Sequence, residues 1–197
     1  MWDKRYGAEE YAYGTEPNDF LVEVADRLPM GRILCLAEGE GRNAVWLAQH
    51  GYKVTAVDAS AVGCRKAELL AQERGVEITV INADLAEFRI EPGVWDGIVK
   101  IFGHLPPALR REVHEGCVAG LKPGGRMVLE AYTRDQLQRD TGGPPVAELM
   151  MDAESLRDEL KGLDFEILQE TVRDVQEGRH HDGPGAVVQM LAVQPGP

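Results

Sequence analysis

Two glycines and an aspartate in this sequence have the spacing of a nucleoside-binding site. Gly39 and Gly41 follow an apolar stretch at residues 33–36 and precede apolar residues at helical spacing. A strand, a glycine turn and a helix let the backbone approach a ligand, and N–H groups at the helix start favour a negative or polar one. Asp58 ends the next predicted strand, where a carboxylate can accept hydrogen bonds from both hydroxyls of a ribose. The spacing therefore predicts a nucleoside cofactor.

This motif by itself leaves the cofactor open. Residues 39–44 also satisfy the Gly-x-Gly-x-x-Ala form of a nicotinamide-dinucleotide site, so an NAD-dependent oxidoreductase is one interpretation. Dehydrogenases of this type usually begin with their glycine strand and need added structure to place a substrate against the cofactor. Here an aromatic segment and a helix precede that strand, and the chain has only 197 residues. The choice of cofactor therefore depends on the remaining elements of the chain.

The elements around the turn alternate between strands and helices. Apolar runs predict strands at residues 33–36, 52–57, 76–81, 95–102, 127–132, 165–172 and 186–193. Helices are predicted after the glycine turn and after Asn18, Ser60, Pro106 and Asp152. This alternation favours an α/β fold with a mostly parallel seven-stranded sheet and helices on both faces. The last two strands are joined by a polar turn and predict an antiparallel pair at one edge.

Composition limits the class of protein. The length fits a single domain over residues 1–197, with residues 1–19 as an aromatic lead-in. No apolar run approaches the ~20 residues of a membrane span, and the start does not resemble a signal peptide, so we expect a cytoplasmic protein. A net charge of -12 without a basic run disfavours nucleic acid as a partner. The sequence indicates no obligate protein partner.

In their order and spacing, four motifs resemble those of the class I S-adenosylmethionine-dependent methyltransferases. The motifs are residues 33–43, 54–58, 82–85 and 121–125. The chain is particularly similar to the small tellurite-resistance type, which resembles the thiopurine methyltransferases. Residues 11–18 also resemble that family's lead-in, which packs over the cofactor. The resemblance implies a Rossmann-like class I methyltransferase fold and S-adenosylmethionine as the cofactor, with S-adenosylhomocysteine as its product.

The resemblance also implies a role for each motif position. The glycine turn would lie against the methionine part, Asp58 would hold the ribose, and the third motif would meet the adenine. Lys100 and Ile101 would flank the transferable methyl group. Tyr13, together with Tyr6 and Tyr11, could form an aromatic lid over the sulfonium. The full set of expected cofactor contacts is Tyr13, Ala37, Glu38, Gly39, Gly41, Asn43, Asp58, Ala59, Asp84, Leu85, Lys100 and Ile101.

Two positions depart from the family pattern. Cys35 stands where the family usually has an acid, and Ala37 stands where it usually has a glycine. Alanine has less backbone freedom than glycine, so Ala37 could narrow the pocket. Glu38 could supply the missing negative charge for the ammonium group of the cofactor. These departures keep open a third interpretation, a non-catalytic module that binds and senses S-adenosylmethionine.

The methyl acceptor is expected to be a small molecule. Transfer from a sulfonium is an in-line displacement, so the protein mainly has to position the acceptor and exclude water. A thiolate or a selenium or tellurium oxyanion needs no general base. Adjacent histidines make a poor metal site, and no metal is expected. The residues expected to position the acceptor are His104, Arg179, His180 and His181.

Overall fold

A computed structural model describes residues 2–196 of the chain. Its helices are α1 (Trp2–Tyr6), α2 (Asp19–Val24), α3 (Arg42–Gln49), α4 (Ala61–Glu73), α5 (Pro107–Gly120) and α6 (Ala153–Glu159). Its strands are β1 (Arg32–Leu36), β2 (Lys53–Asp58), β3 (Thr79–Asn82), β4 (Trp95–Ile101), β5 (Leu121–Tyr132), β6 (Asp164–Gln176) and β7 (Asp182–Val193). Short 3-10 helices cover Ala25–Arg27, Arg134–Gln138 and Ala147–Leu149.

The seven strands form one sheet in the order β3-β2-β1-β4-β5-β7-β6. Strands β1 to β5 run parallel, whereas β7 pairs antiparallel with both β5 and β6. The predicted fold class is confirmed, including the antiparallel C-terminal pair. Because parallel strands end at the same edge, the segments after β1, β2, β4 and β5 meet at the carboxyl edge, where open α/β sheets bind ligands.

The strands are apolar because helices and the N-terminal segment cover the sheet on both faces. One face packs Leu34, Ile98 and Met127 with α5 and α6, and the other packs Ile33, Val99 and Val128 with α2 and α3. Side-chain caps fix several helix starts. The Asn18 side chain accepts a hydrogen bond from the Leu21 N–H, and Ser60 accepts one from the Gly63 N–H.

Several element boundaries differ from the sequence prediction. The third strand begins at Thr79 and not at residue 76, because pairing with β2 starts only there, opposite Thr55. The fifth strand begins at Leu121, which pairs with Trp95, so the predicted turn at residues 122–125 lies within a strand. Strand β6 is longer than predicted at both ends, whereas β7 begins earlier, at Asp182, and ends at Val193 as predicted.

Two further features of the fold concern its cysteines and the length of its helices. Cys35, Cys64 and Cys117 are free and buried, as expected for small apolar side chains. No helix within residues 2–196 has the length and apolar character needed to span a bilayer.

Candidate functional site

The glycine turn and Asp58 form one hydrogen-bonded unit at the carboxyl edge of the sheet. The Gly39 N–H donates to Asp58 Oδ2 at 2.8 Å, and the Ser60 N–H donates to Oδ1 at 2.8 Å. Burial raises the pKa of this carboxyl, and the two N–H groups oppose the rise. A carboxylate has about four lone-pair sites, so each oxygen of Asp58 keeps capacity for a further donor such as a ribose hydroxyl. The donor and acceptor set therefore fits a nucleoside cofactor.

The short helix α1 covers this turn. Tyr6 is buried, and its hydroxyl lies so close to Gly39 that a Cβ there would come within 2.7 Å of the oxygen. Asp3 accepts hydrogen bonds from the Ser60 hydroxyl at 2.5 Å and from the Val62 N–H at 3.4 Å. These contacts place α1 against the turn and the start of α4, where the sequence predicted a lead-in over the cofactor.

Glu40, inside the glycine turn, anchors the segment after α1. Its carboxylate accepts hydrogen bonds from the Ala12 N–H and from Lys66 Nζ, both at 2.7 Å. Tyr11 packs on α4 and its hydroxyl donates to the Lys66 carbonyl at 3.4 Å. Of the three tyrosines predicted to form a lid, Tyr6 therefore lies at the turn and Tyr11 lies away from it.

The residues that depart from the family pattern have clear local roles. Cys35 is fully buried in the core, and burial raises the pKa of its thiol. Glu38 accepts a hydrogen bond from the Ala44 N–H at 2.7 Å, which supports the start of α3 because Gly41 provides no side-chain cap. Burial raises the pKa of Glu38 to about 7. Its carboxylate therefore already has a structural partner at the position where a cofactor ammonium was expected.

Ala37 adopts the left-handed backbone conformation that glycine tolerates best, with φ of 52°. We expect Ala37→Gly to stabilise the protein by up to about 1 kcal/mol, because relief of strain exceeds the entropy that glycine adds to the unfolded chain. Thermal unfolding measures this as a rise of about 2–4 °C in Tm. Ala108→Gly, in the helical backbone of α5, is the matched control and should lower the Tm. A lower Tm for both variants would contradict the claim that the backbone at Ala37 is strained.

The remaining predicted cofactor residues surround the turn with different exposure. Ala59 and Asp84 are exposed, and Asp84 Oδ1 accepts a hydrogen bond from the Ala86 N–H at 2.9 Å. Leu85 is buried beside a cavity of about 280 Å³, which Phe88 and Ile90 also line. The charged side chains of Arg89 and Glu112 and two further residues of α5 complete the lining of this cavity.

Lys100, Ile101 and Asn43 differ in the polar groups that they carry. The Lys100 side chain is fully buried, its Nζ has no hydrogen-bond partner within residues 2–196, and burial lowers its pKa to about 8. Ile101 is buried with the residues on the opposite face of the sheet. Asn43 Oδ1 accepts a hydrogen bond from the Asn18 N–H at 2.9 Å.

His104 bridges two segments through both ring nitrogens. Nδ1 lies 2.9 Å from the Leu149 carbonyl oxygen, and Nε2 lies 3.4 Å from the Tyr132 N–H nitrogen. This pairing fits a neutral ring that donates from Nδ1 and accepts at Nε2. Burial is the main cause that lowers its pKa to about 4. The geometry favours a positioning role for His104 over direct contact with an acceptor.

The neutral state of His104 predicts a pH effect on stability. Its folded pKa lies below the usual 6.5, so the unfolded chain binds the proton first and stability falls as pH drops from about 6.5 to 4. His104→Asn keeps a donor for Leu149 but does not titrate. Across this range the wild type should lose on the order of 2 kcal/mol more than the variant, measured by urea unfolding at each pH. All other titrating groups are the same in both proteins. If the free energy of unfolding depended on pH equally in wild type and variant, the neutral state of His104 would be contradicted.

Aromatic rings gather where β4 and β5 end. Phe102 and Tyr132 stack with ring centroids 4.6 Å apart, and His181 meets their edges at 4.6 and 5.2 Å. Tyr13 contacts His181 at 4.6 Å and Tyr6 at 6.3 Å. We call Phe102, Tyr132, His181 and Tyr13 the aromatic cluster. Through the contact between Tyr13 and Tyr6, this cluster is connected to the glycine turn.

Arg179 and His180 lie outside the aromatic cluster. Arg179 is exposed and forms an ion pair with Glu10 at 3.4 Å, whereas the His180 ring contacts Tyr13. Both line a surface cleft of about 300 Å³, together with Arg5, Asp140, Thr141 and Asp182. The structure therefore brings three of the four predicted acceptor residues, His180, His181 and Arg179, to one region and separates His104 from them behind the Tyr132 ring.

Sequence reasoning missed a buried charged network that joins β5, β6, α3 and the start of α2. Arg173 donates to Glu130 at 2.6 and 2.8 Å and to Glu177 at 2.5 Å. Asn18 Nδ2 donates to the same two carboxylates at 2.5 and 2.8 Å, and Arg42 also pairs with Glu177. The sequence did contain one sign of this network, the carboxylate of Glu130 within an apolar stretch of β5. A buried charge needs a partner, so its position indicates a paired cation.

The comparisons with known proteins point to one family. Residues 33–125, a little under half of the chain, match the family model described as Methyltransferase domain. This range contains the glycine turn, Asp58 and the β4 strand. It ends just inside β5, so the aromatic cluster lies only partly within it.

Three related proteins support this match. The chain is 28% identical over 122 residues to the 2-heptyl-1-hydroxyquinolin-4(1H)-one methyltransferase of Mycobacteroides abscessus, covering 60% of this chain and 54% of that protein. It is 28% identical over 120 residues to the ubiquinone biosynthesis O-methyltransferase of Vibrio parahaemolyticus, covering 59% and 50%. The crystal structure of TehB from Haemophilus influenzae matches with a TM-score of 0.73 at 18% identity, covering 98% of this chain and 65% of that one.

These matches differ in how much of each protein they cover. The chain spans about half the length of the curated relatives it matches. The structural likeness concerns the fold, because 18% identity does not carry substrate or activity. Residues 33–125 therefore resemble a methyltransferase domain, and the chain has a Rossmann-like fold similar to that of the TehB structure.

Proposed function

We propose that the protein transfers a methyl group from S-adenosylmethionine to a small-molecule acceptor. The observation that carries the proposal is the hydrogen-bonded unit of Gly39, Asp58 and Ser60 within the range that matches the methyltransferase family. Asp58 would hold the ribose, the turn at residues 37–41 would lie against the methionine part, and Leu85 with its cavity would receive the adenine.

The sheet order favours this cofactor over NAD. The usual dinucleotide-binding sheet has the parallel order 3-2-1-4-5-6. Here the antiparallel strand β7 is inserted between β5 and β6, so the sheet departs from that arrangement on the side where the aromatic cluster lies. The matched family and the curated relatives are likewise methyltransferases.

The protein's own contribution to the reaction would be positioning and exclusion of water. The bound sulfonium supplies an activated methyl group, so no covalent protein nucleophile is required. Helix α1 and residues 11–18 would act as a lid, with Tyr6 packed on the turn and the next segment tied to Glu40. Holding the acceptor in line with the methyl group can be worth up to about 7–11 kcal/mol.

Two classes of acceptor have support. The resemblance of the sequence motifs to the tellurite-resistance type favours a thiol or a selenium or tellurium oxyanion, and thus a link to tellurite resistance. The names of the curated relatives point to a hydroxyl on a quinolone or quinone-type ring. A cytoplasmic reaction is supported by the three free cysteines, since oxidising compartments favour disulfides.

A turnover assay tests the proposal. Purified protein with methyl-labelled S-adenosylmethionine is offered thiols, selenite, tellurite and hydroxylated aromatic compounds, and S-adenosylhomocysteine is measured by chromatography. We expect product cofactor in equal amount to a methylated acceptor. Tight cofactor binding without product from any acceptor would contradict catalysis and favour the alternative of a sensing module.

A further inference from the structure

The aromatic cluster contains two buried polar atoms whose hydrogen-bonding capacity is unused within residues 2–196. The Tyr132 hydroxyl and His181 Nδ1 have no hydrogen-bond partner there. Tyr132 is completely buried, and His181 is 7% exposed. Leaving such groups unpaired costs free energy, so their retention indicates a ligand that satisfies them. Both atoms belong to rings that contact each other, so one ligand could reach both.

A glycine loop forms a roof over the Tyr132 hydroxyl and the His181 ring. A Cβ built on Gly142 would lie 3.1 Å from the Tyr132 hydroxyl and 2.9 Å from His181 Cδ2. Gly143 lies directly on the Tyr132 ring, where a Cβ would come within 3.0 Å of Cδ2. The other side of this loop lines the cleft of about 300 Å³ described above. Only backbone therefore separates the cleft from the unpaired hydroxyl and imidazole.

The surroundings of the roof carry charges of both signs. Arg5, Arg179 and His180 line the cleft beside the loop, and Arg42 lies near His181. Burial, followed by the nearby Arg42, His104, His180 and Arg5, lowers the pKa of His181, which is therefore neutral at neutral pH. Carboxylates are also near, since Asp140 and Asp182 line the cleft and Glu177 pairs with Arg42.

Resting on the function proposed above, we infer that Tyr132 and His181 position the acceptor, a planar aromatic compound with an acidic hydroxyl that binds beside the Gly142–Gly143 loop. The partly exposed rings of Phe102 and Tyr13 would pack against its ring, because the Tyr132 ring is already stacked on Phe102. The Tyr132 hydroxyl would donate to its oxygen. A small inorganic oxyanion would have no use for these aromatic rings.

The chemistry balances without a protein base. The acceptor binds as its anion, so its proton leaves to solvent before the transfer. An oxygen lone pair forms the new O–C bond, and the electron pair of the broken C–S bond returns to sulfur. Neutral His181 is thus required for hydrogen bonding and not for proton removal.

Binding and kinetics of one variant test the inference. Calorimetry with 4-nitrophenol is carried out on the protein saturated with S-adenosylhomocysteine, and methylation is measured with S-adenosylmethionine. We expect Tyr132→Phe, which keeps the ring, to weaken 4-nitrophenol binding about tenfold and to raise its KM, with cofactor affinity unchanged. Tyr52→Phe is the matched control, because its hydroxyl bonds to the Ala25 carbonyl at 2.8 Å on the α2 side of the sheet. It should lower the Tm and leave the KM unchanged.

The outcomes separate this inference from the proposed function. Methylation of 4-nitrophenol in preference to cyclohexanol, 4-nitrothiophenol, selenite and tellurite, with the Tyr132→Phe effect, supports it. Preference for a thiol or an inorganic oxyanion, or equal 4-nitrophenol binding by wild type and variant, would overturn it while leaving methyl transfer intact. Failure to bind either form of the cofactor would overturn the proposed function itself.

Discussion

Arg173→Ala is expected to destabilise the protein by about 3–5 kcal/mol, because it leaves the buried Glu130 without a cationic partner and removes one of the two cations paired with Glu177. Glu130 is fully buried and Glu177 is 4% exposed, and Arg173 donates to both. Since 1 kcal/mol corresponds to roughly 2–4 °C for a chain of this size, the Tm should fall by about 10 °C. Differential scanning calorimetry measures the change directly.

The matched control is Arg126→Ala. Arg126 also pairs with a glutamate of β6, Glu166, at 3.0 Å, but both side chains are partly exposed. Such a surface pair contributes at most about 1 kcal/mol. Adding Glu130→Gln to Arg173→Ala removes one of the uncompensated charges and should recover part of the lost Tm. An equal fall in Tm for Arg173→Ala and Arg126→Ala would contradict the claim that the buried network stabilises the protein more than a surface ion pair does.

Asp58→Asn is expected to weaken S-adenosylmethionine binding about 100-fold. Hydrogen bonds to a charged group are each worth about 1.5–3 kcal/mol, and two bonds to ribose hydroxyls would be lost or reversed in polarity. The substitution also disturbs the turn, since Asp58 accepts from the Gly39 and Ser60 N–H groups. Calorimetric titration at a temperature well below the Tm separates the loss of affinity from the loss of stability.

Asp96→Asn supplies the control for this measurement. Asp96 likewise joins two segments, since it accepts hydrogen bonds from the Arg32 N–H at 2.8 Å and from Lys122 Nζ at 2.8 and 2.9 Å. It lies near the amino end of β4, at the opposite edge of the sheet from the glycine turn. We expect Asp96→Asn to lower the Tm with cofactor affinity unchanged. An equal loss of affinity in both variants would assign the Asp58 effect to stability alone.

Local patterns were sufficient for the order of the seven strands and of helices α2 to α6, and for the glycine turn, but they did not predict α1. Each depends on residues close in sequence, such as the apolar run at 33–36 before Gly39 and the cap at Ser60. The antiparallel pair at the C-terminal edge was also predictable, because no helix separates the last two strands. Asp58 was predicted as a site residue because its distance from the glycines is set by one strand–helix–strand unit.

Long-range pairing explains what the sequence left open. Glu130 and Arg173 are 43 residues apart, and nothing local shows that insertion of β7 between β5 and β6 brings them together. The same holds for His181 and Tyr132, whose rings meet through the β6–β7 turn. His104 was predicted to face the acceptor from its place after β4, but its contact with the Leu149 carbonyl depends on a segment 45 residues away.

The site residues differ in how well sequence position predicted their exposure. Lys100 follows the pattern of an apolar strand, and its burial on the α5 face agrees with the alternation of side chains along β4. Its position near the strand end suggested contact with the methyl group, whereas strand alternation alone would have placed its side chain in the core. Periodicity within an element was here the better guide.

Titration calorimetry of the wild-type protein with S-adenosylmethionine, S-adenosylhomocysteine and NAD tests the central claim most directly, because the glycine turn and Asp58 must choose among these ligands. We predict saturable one-to-one binding of S-adenosylmethionine and its product, with no measurable heat from NAD. Binding of NAD without binding of either methyl-donor form would contradict the account.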